Sequence, residues 1–268
     1  MQPNAKTLIL NLLSAGNGQP LQAREAIIAA ALFGISANSV RVGLARLSAE
    51  ALVEAAGRGS YQLGPQALEL YGDVATWRSV QQRLRPWLGD YLAVFSAALG
   101  RTDRAALRRR ERALQLLGFR ELEKGLHIRP NNIEADVPAV RQRLDNLGLE
   151  PQARLFVASG FDQHSTAQIH GLWDGPALTA RYQQLGKQLA DWLQRAPQLE
   201  TEVAAREAFL LGNNAIRQVV FDPLLPEPLV DSATRQAFFA DVLRFDQAGH
   251  QIWSRLYAGQ SGPSPTQP

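Results

Sequence analysis

Hydrophobic side chains recur at helical spacing through the first 50 residues. Val40, Leu44 and Leu47 lie at i, i+4 and i+7, which is the stripe of an amphipathic helix. Comparable stripes precede it, and a glycine turn separates the second stripe from the third. The pattern predicts three helices, over residues 5–14, 21–32 and 37–50.

The segment after the third helix is typical of a hairpin. Short apolar runs at 52–54 and 61–63 predict two strands, and a glycine-rich turn carrying Arg58 joins them. A helix, a short turn, a second helix with a polar N-terminal half and a hairpin form the order of a winged helix-turn-helix. The sequence therefore predicts a reader of double-stranded DNA at residues 1–75.

The polar face of the third helix supplies the candidate DNA contacts. Arginine pairs with guanine and asparagine with adenine, and Ser36 is a suitable N-cap. Arg58 lies at the predicted wing tip, where it can meet a phosphate or the minor groove. A solvated helix face and a plain hairpin are the alternatives. The candidates are Ser36, Asn38, Ser39, Arg41, Val42, Arg46, Arg58 and Ser60.

The middle of the chain alternates strands with helices. Strand, helix, two strands, helix, strand is the order of a split βαβ, or ferredoxin-like, domain. The four strands are predicted at 91–95, 121–122, 126–128 and 155–158, and the two helices at 103–117 and 137–147.

The remainder reads as helices, at 178–193, 203–219 and 233–257. The predicted fold class is therefore α+β and mostly helical. Its domains are a winged helix-turn-helix at 1–75, a ferredoxin-like domain at 86–160 and a helical domain at 174–258. Glycine, serine and proline predict a disordered tail at 259–268.

Several motifs, in chain order, resemble the PaaX family of bacterial transcriptional regulators. The matching stretches are 23–24, 33–41, 44–47, 57–61, 87–95, 107–112, 117–119 and 125–130, then Arg217 and 221–226, the last read as Asp-Pro-x-Leu-Pro.

The resemblance implies a homodimer that represses an operon for aromatic catabolism, such as phenylacetic acid catabolism. It further implies release from DNA by an acyl-coenzyme A effector, which is phenylacetyl-coenzyme A for the type member. It places dimerisation in the central domain and effector binding in the C-terminal one. One departure matters: a His-Glu-aromatic-Arg stretch of the family is here Asn213, Asn214, Ala215, Ile216 and Arg217. The effector is therefore open.

Charge adds a second candidate feature. Residues 81–135 carry 11 basic and 6 acidic side chains, whereas residues 1–80 carry 6 and 5. The arginines of 104–112 are open to three interpretations: a solvated face, a nucleic-acid surface or a cradle for coenzyme A phosphates. The candidate effector-binding residues are Arg108, Arg109, Arg120 and Arg217.

Composition and motifs narrow the remaining classes. The chain has no cysteine, which fits a reducing cytoplasm, and no apolar run long enough to span a membrane. The stretch 161–170 holds two histidines and an aspartate, but polar loop residues are a better interpretation than a metal site. No phosphate loop, nucleophile elbow, dinucleotide pattern or zinc-protease motif is present. We therefore expect no enzyme, cofactor, metal or membrane partner.

A nuclease is the enzyme alternative, since the central fold also resembles a small CRISPR-associated nuclease class. No carboxylate cluster at a strand end supports it. The sequence thus predicts a cytoplasmic, homodimeric, DNA-binding regulator. The alternatives are a winged-helix module that binds protein and a PaaX-like regulator with an unrelated effector.

Overall fold

The structure, a computed structural model, describes residues 3–16, 18–67 and 77–259. It is an α+β chain, about 59% helical, with two small sheets and a helical C-terminal region. The predicted fold class is confirmed at this level. Residues 68–75 of the first predicted domain and 260–268 of the predicted tail lie outside the described residues. Within the described part, no helix has the length and hydropathy needed to cross a bilayer.

The chain begins with three helices and a small antiparallel sheet, whose strands lie in the order β1-β3-β2. Their order along the chain matches the prediction. The elements are α1 (Ala5–Ala15), β1 (Leu21–Gln22), α2 (Ala23–Ala31), α3 (Ala37–Ala49), β2 (Val53–Gly57) and β3 (Ser60–Leu63).

One boundary was predicted wrongly here. The second helix begins at Ala23 rather than at residue 21, because Leu21 and Gln22 pair with β3 instead. The Gln22 backbone N–H donates to Glu25 Oε2 at 3.0 Å, which closes the first turn of α2.

A four-stranded sheet with helices follows a short 3-10 helix (Trp77–Arg83). Its strand order is β5-β6-β4-β7, and all neighbouring strands are antiparallel. All predicted strands and helices of this region are present. They are β4 (Tyr91–Phe95), α4 (Arg104–Leu116), β5 (Arg120–Glu123), β6 (Leu126–Pro130), α5 (Val137–Asn146) and β7 (Arg154–Ala158).

The stretch predicted as a polar loop is a helix. In α6 (Gln163–His170), the side chain of Asp162 accepts from the Ser165 N–H, and Ile169 is buried. One buried residue in a helix of about two turns forms no stripe that the sequence could reveal.

Long helices complete the chain. Their cores match the predicted helices, and each extends by a few residues at its ends. They are α7 (Gly175–Arg195), α8 (Thr201–Val220) and α9 (Ser232–Gly259), with a 3-10 turn (Ala196–Gln198) after α7.

These elements form two compact units that do not follow chain order. The N-terminal unit holds the described residues within 1–77, 187–217 and 240–268, and the central unit holds 78–186 and 218–239. The C-terminal helices therefore supply residues to both units.

The core of the N-terminal unit combines both ends of the chain. Leu8, Val40 and Leu47 are fully buried and join α1 to α3. Phe209 of α8 belongs to the same cluster, and its ring lies 5.1 Å from that of Phe33. Trp253 of α9 packs against the cluster as well. The first three helices thus do not close their own core.

A buried polar network organises the central unit around the segment 222–225. Asp222 is 3% exposed, accepts from the Tyr182 hydroxyl at 2.5 Å and from the Leu224 N–H at 2.8 Å. Burial raises the pKa of Asp222 and lowers that of Arg129 to about 9. Arg129 donates to Asn132 Oδ1 at 2.7 Å, and Asn132 donates to the Leu224 carbonyl. The aspartate and its prolines thus have a structural role.

Two stretches that carry the family resemblance meet in this unit. Gly118 has φ +75°, and a Cβ built there would lie 2.8 Å from Pro223 Cα. The Trp173 indole N–H donates to the Gly118 carbonyl at 3.1 Å. A side chain at position 118 would therefore push directly against backbone.

We expect Gly118→Ala to lower the free energy of unfolding by more than about 1 kcal/mol, because alanine is strained at positive φ and meets Pro223. Urea denaturation of the two proteins measures the change. Gly100→Ala is the matched control, since a Cβ there meets nothing within 4 Å. Equal midpoints for both variants would refute the proposed contact.

Candidate nucleic-acid interface

The start of α3 is held by its own first residues. Ser36 Oγ accepts from the Ser39 N–H at 3.2 Å, and the two hydroxyl oxygens lie 2.9 Å apart. The predicted N-cap is therefore confirmed. Gly34, at φ +69°, provides the left-handed turn between α2 and α3. Together these contacts fix where the helix begins and which side faces outward.

One side of α3 is buried and the other is free. Val40, Leu44 and Leu47 face the core. The predicted contact residues Asn38, Ser39, Arg41, Val42 and Arg46 are all exposed. Val42 is 41% exposed although apolar, and an apolar group in this position can contact a thymine methyl.

The two arginines on this exposed face of α3 have no partner among the described residues. Among the described residues, the side chains of Arg41 and Arg46 form no hydrogen bond or ion pair, and α3 contains no acidic residue. The nearest acid in the chain, Glu50 at the helix end, pairs with Lys6 at 2.5 Å. The face is therefore positively charged and available to an anion.

A third free arginine lies at the hairpin tip. Gly57 pairs with Ser60, which leaves Arg58 and Gly59 as the connecting residues. Arg58 is exposed and has no partner among the described residues. The Gly59 carbonyl accepts from the Ala23 N–H at 2.8 Å, which holds the tip at the start of α2.

Ser60 differs from the other candidates. It is 8% exposed, and its backbone takes part in the sheet opposite Gln22 and Gly57. The alternation of a strand points this hydroxyl inward. We therefore leave Ser60 out of the candidate interface.

Helix α1 supports α3 from behind. A Cβ at Gly43 would lie 3.3 Å from Ile9 Cδ1 and 3.4 Å from Ala5 Cβ, so the two helices are in close contact there. Because the two helices are close-packed there, a displacement of α1 would also shift α3.

The four candidate effector arginines come from three different elements, α4, β5 and α8. Arg108 and Arg109 are exposed on α4, and Arg217 is exposed on α8. Arg120 donates to the neighbouring Phe119 carbonyl at 3.3 Å. Effector binding by these four residues stays a prediction.

The basic face of α4 is smaller than the sequence indicates. Arg110 is buried and donates from Nη2 to Glu150 Oε1 at 2.6 Å. This hydrogen bond lowers the pKa of Glu150. Arg110 thus fastens α4 to the loop before β7 and is not free for a ligand.

The histidines at 164 and 170 lie in α6. Within the described ranges, no group of three histidine, aspartate or glutamate side chains could hold a metal ion.

Sequence reasoning missed one feature, a cavity of about 340 Å³ within the N-terminal unit. We call it the α1–α9 cavity, because residues of α1, α8 and α9 line most of it. Asn213 and Ile216, which belong to the stretch that departs from the family pattern, are among them. That departure was the one signal in the sequence.

Comparison with known proteins gives a match to a family profile and a match to a solved structure. Residues 173–255 match the sequence profile of a family described as PaaX-like protein C-terminal domain. Among solved structures, the uncharacterized protein Rv0674 from Mycobacterium tuberculosis is similar, with a TM-score of 0.63, 21% identity, and coverage of 95% of this chain and 99% of that chain. At this identity the likeness shows the fold alone. No curated protein matches the chain.

Replacing Ser36 with alanine should lower the free energy of unfolding by about 1 kcal/mol, since the Ser39 N–H loses its acceptor. Thermal or urea unfolding measures the loss. Ser48→Ala, an exposed change near the other end of α3, should leave stability unchanged. An equal effect of both changes would contradict the capping role.

Proposed function

We propose that this protein is a transcriptional regulator that binds operator DNA through α3 and the β2–β3 hairpin, because residues 173–255 match the profile of the PaaX-like protein C-terminal domain. The observation that carries the proposal is the exposed, unpaired arginine face of α3 beside an arginine-tipped hairpin. The proposed function is DNA binding and not catalysis. We propose that the protein acts in the cytoplasm.

In this proposal α2 and α3 form a helix-turn-helix, and the hairpin is the wing. The support is geometric: a five-residue connection with a left-handed glycine, an N-capped second helix and a hairpin directly after it. The N-terminal half of α3 would enter the major groove, where Asn38, Arg41 and Arg46 reach base edges. Arg58 would contact a phosphate or the minor groove.

The proposal includes a homodimer, because two half-sites need two reading heads. We assign dimerisation to the central sheet, which we interpret as ferredoxin-like from its strand order and antiparallel pairing. Edge strand β7 supports this assignment, since Phe156 and Val157 are 43% and 45% exposed.

The last component of the proposed function is control by a small molecule. We propose a repressor that a ligand releases from DNA, as the family resemblance implies, with aromatic catabolism as the regulated process. The acyl-coenzyme A effector stays an expectation that comes from the resemblance. The free face of Arg108 and Arg109 is its support, and the loss of Arg110 to an ion pair weakens it.

A protein-binding winged helix is the alternative. Contacts to phosphates release counterions, so DNA binding weakens steeply as salt rises. Binding to a protein partner through the same face would not show the steep salt slope of a polyanion.

Arg41→Ala should lower discrimination between the operator and random DNA, by about 1–3 kcal/mol if Arg41 pairs a base. Fluorescence anisotropy with a fragment from upstream of its own gene measures it. Arg206→Ala, an exposed arginine on α8 without a partner among the described residues, is the control and should change nothing. Unchanged operator affinity in the Arg41 variant would remove this residue from the interface.

Arg58→Ala should weaken binding to all DNA sequences roughly equally and reduce the salt slope by about 1, because one phosphate contact is lost. A salt titration on operator and random fragments measures both. A loss confined to one sequence would instead make Arg58 a base reader.

A further inference from the structure

The α1–α9 cavity has the size of a small-molecule site. Its volume is about 340 Å³, within the roughly 300–1,000 Å³ of ligand pockets. Every residue that lines it belongs to the N-terminal unit. It lies where α1 and the start of α2 meet the two C-terminal helices, on the same unit as the candidate DNA interface.

Aromatic rings form one wall. Phe209, Trp253 and Tyr257 line the cavity, and consecutive ring centres lie 6.5 and 5.6 Å apart. These are distances at which rings attract each other edge-to-face or tilted, and a further ring could join the row. Ile216 adds an aliphatic surface. This wall suits a flat, apolar ligand.

The charges in the lining are negative. Among the described residues that line the cavity, Glu25 and Asp246 are acidic and none is a lysine or arginine. In the same set, His250 is the one group that can carry a positive charge, and its ring nitrogens lie 2.9 Å from the Asp246 carbonyl and 3.2 Å from the Ala15 carbonyl. With His250 neutral or protonated, the lining keeps a net negative charge. Burial, and then the Glu25 carboxylate, raise the pKa of Tyr257, so its hydroxyl stays neutral.

Polar groups that could orient a ligand are also present. Asn213 is half-buried, and its side chain has no hydrogen-bond partner among the described residues. It can donate to or accept from a ligand. A few convergent polar groups in a mainly apolar cavity are the usual make-up of a specific site.

We propose that the α1–α9 cavity binds a small aromatic molecule that carries no negative charge, either neutral or an amine. An anionic ligand would meet the Glu25 and Asp246 carboxylates and no lysine or arginine of the described lining, and His250 Nδ1 already lies 3.5 Å from Asp246 Oδ1. We therefore expect the phosphates of a coenzyme A ester to be disfavoured in this cavity. Its role as the effector site rests on the proposed function; the binding itself does not.

The cavity is placed to affect DNA reading. Asn11 and Leu12 of α1 line it, and Ala5 and Ile9 of the same helix pack against α3 at Gly43. His250 links α9 to the end of α1 through the Ala15 carbonyl. A ligand between α1 and α9 that favours one arrangement of these helices therefore shifts the position of α3.

The test uses full-length protein and three probes of nearly equal size: phenethylamine, phenethyl alcohol and phenylacetate. Calorimetry reports binding. We expect the amine and the alcohol to bind saturably and phenylacetate to bind roughly tenfold or more weakly. Phenylacetyl-coenzyme A should not displace the amine. Equal or tighter binding of phenylacetate overturns the proposal, as does the absence of binding by all three probes.

Two variants tie the binding to the cavity. Ile216→Trp fills it and should abolish binding of the amine. Glu25→Gln keeps an acceptor for the Gln22 N–H but removes the charge, so the preference for the amine over phenylacetate should shrink several-fold. Glu202→Gln is the matched control, since it lies on α8 outside this lining and should change nothing. Unchanged binding in both cavity variants overturns the assignment.

A parallel anisotropy assay with operator DNA separates the two proposals. Ligand binding without any DNA binding supports the site and rejects the proposed function. DNA binding without ligand binding supports the function and rejects the site.

Discussion

The packing of Phe209 against Phe33 ties the ends of this chain together. The first three helices bury Leu8, Val40 and Leu47 but leave a gap that α8 fills with Phe209 and α9 borders with Trp253. The proposed reading head is therefore not an independent domain, and its stability depends on two helices that begin only at Thr201 and Ser232. Because the cavity lies along this shared packing, a ligand there would act on the head directly.

Two of the stretches that resemble the family lie in the central unit and help to build it. Gly118 has no side chain and so leaves room for Pro223. Asp222 accepts a hydrogen bond from the Tyr182 hydroxyl inside a fully buried network. Buried polar groups of this kind must all be satisfied, so few substitutions are tolerated. The resemblance at Gly118 and at 222–226 therefore reflects how the central unit is built, whereas the stretch from Asn213 to Ile216 departs from the family where the cavity lies.

Local pattern predicted most of the elements, because helical stripes, N-caps such as Ser36 and glycine turns act over a few residues. It missed β1, which exists only through pairing with distant β3, and α6, which buries little besides Ile169. Local pattern also placed Ser60 on the interface, although Ser60 is buried in the sheet. It placed Arg110 on a surface, although Arg110 is buried and pairs with Glu150. The cavity could not be found, since its walls come from three separate stretches of sequence.

Binding to DNA is the central claim, and an anisotropy titration over a salt series tests it most directly. The labelled fragment comes from upstream of the gene, and a random fragment of equal length serves as the reference. We predict tight binding to the first, a clear preference over the second and a steep loss of affinity with salt. Equal affinity for both fragments, or binding that ignores salt, would contradict the account.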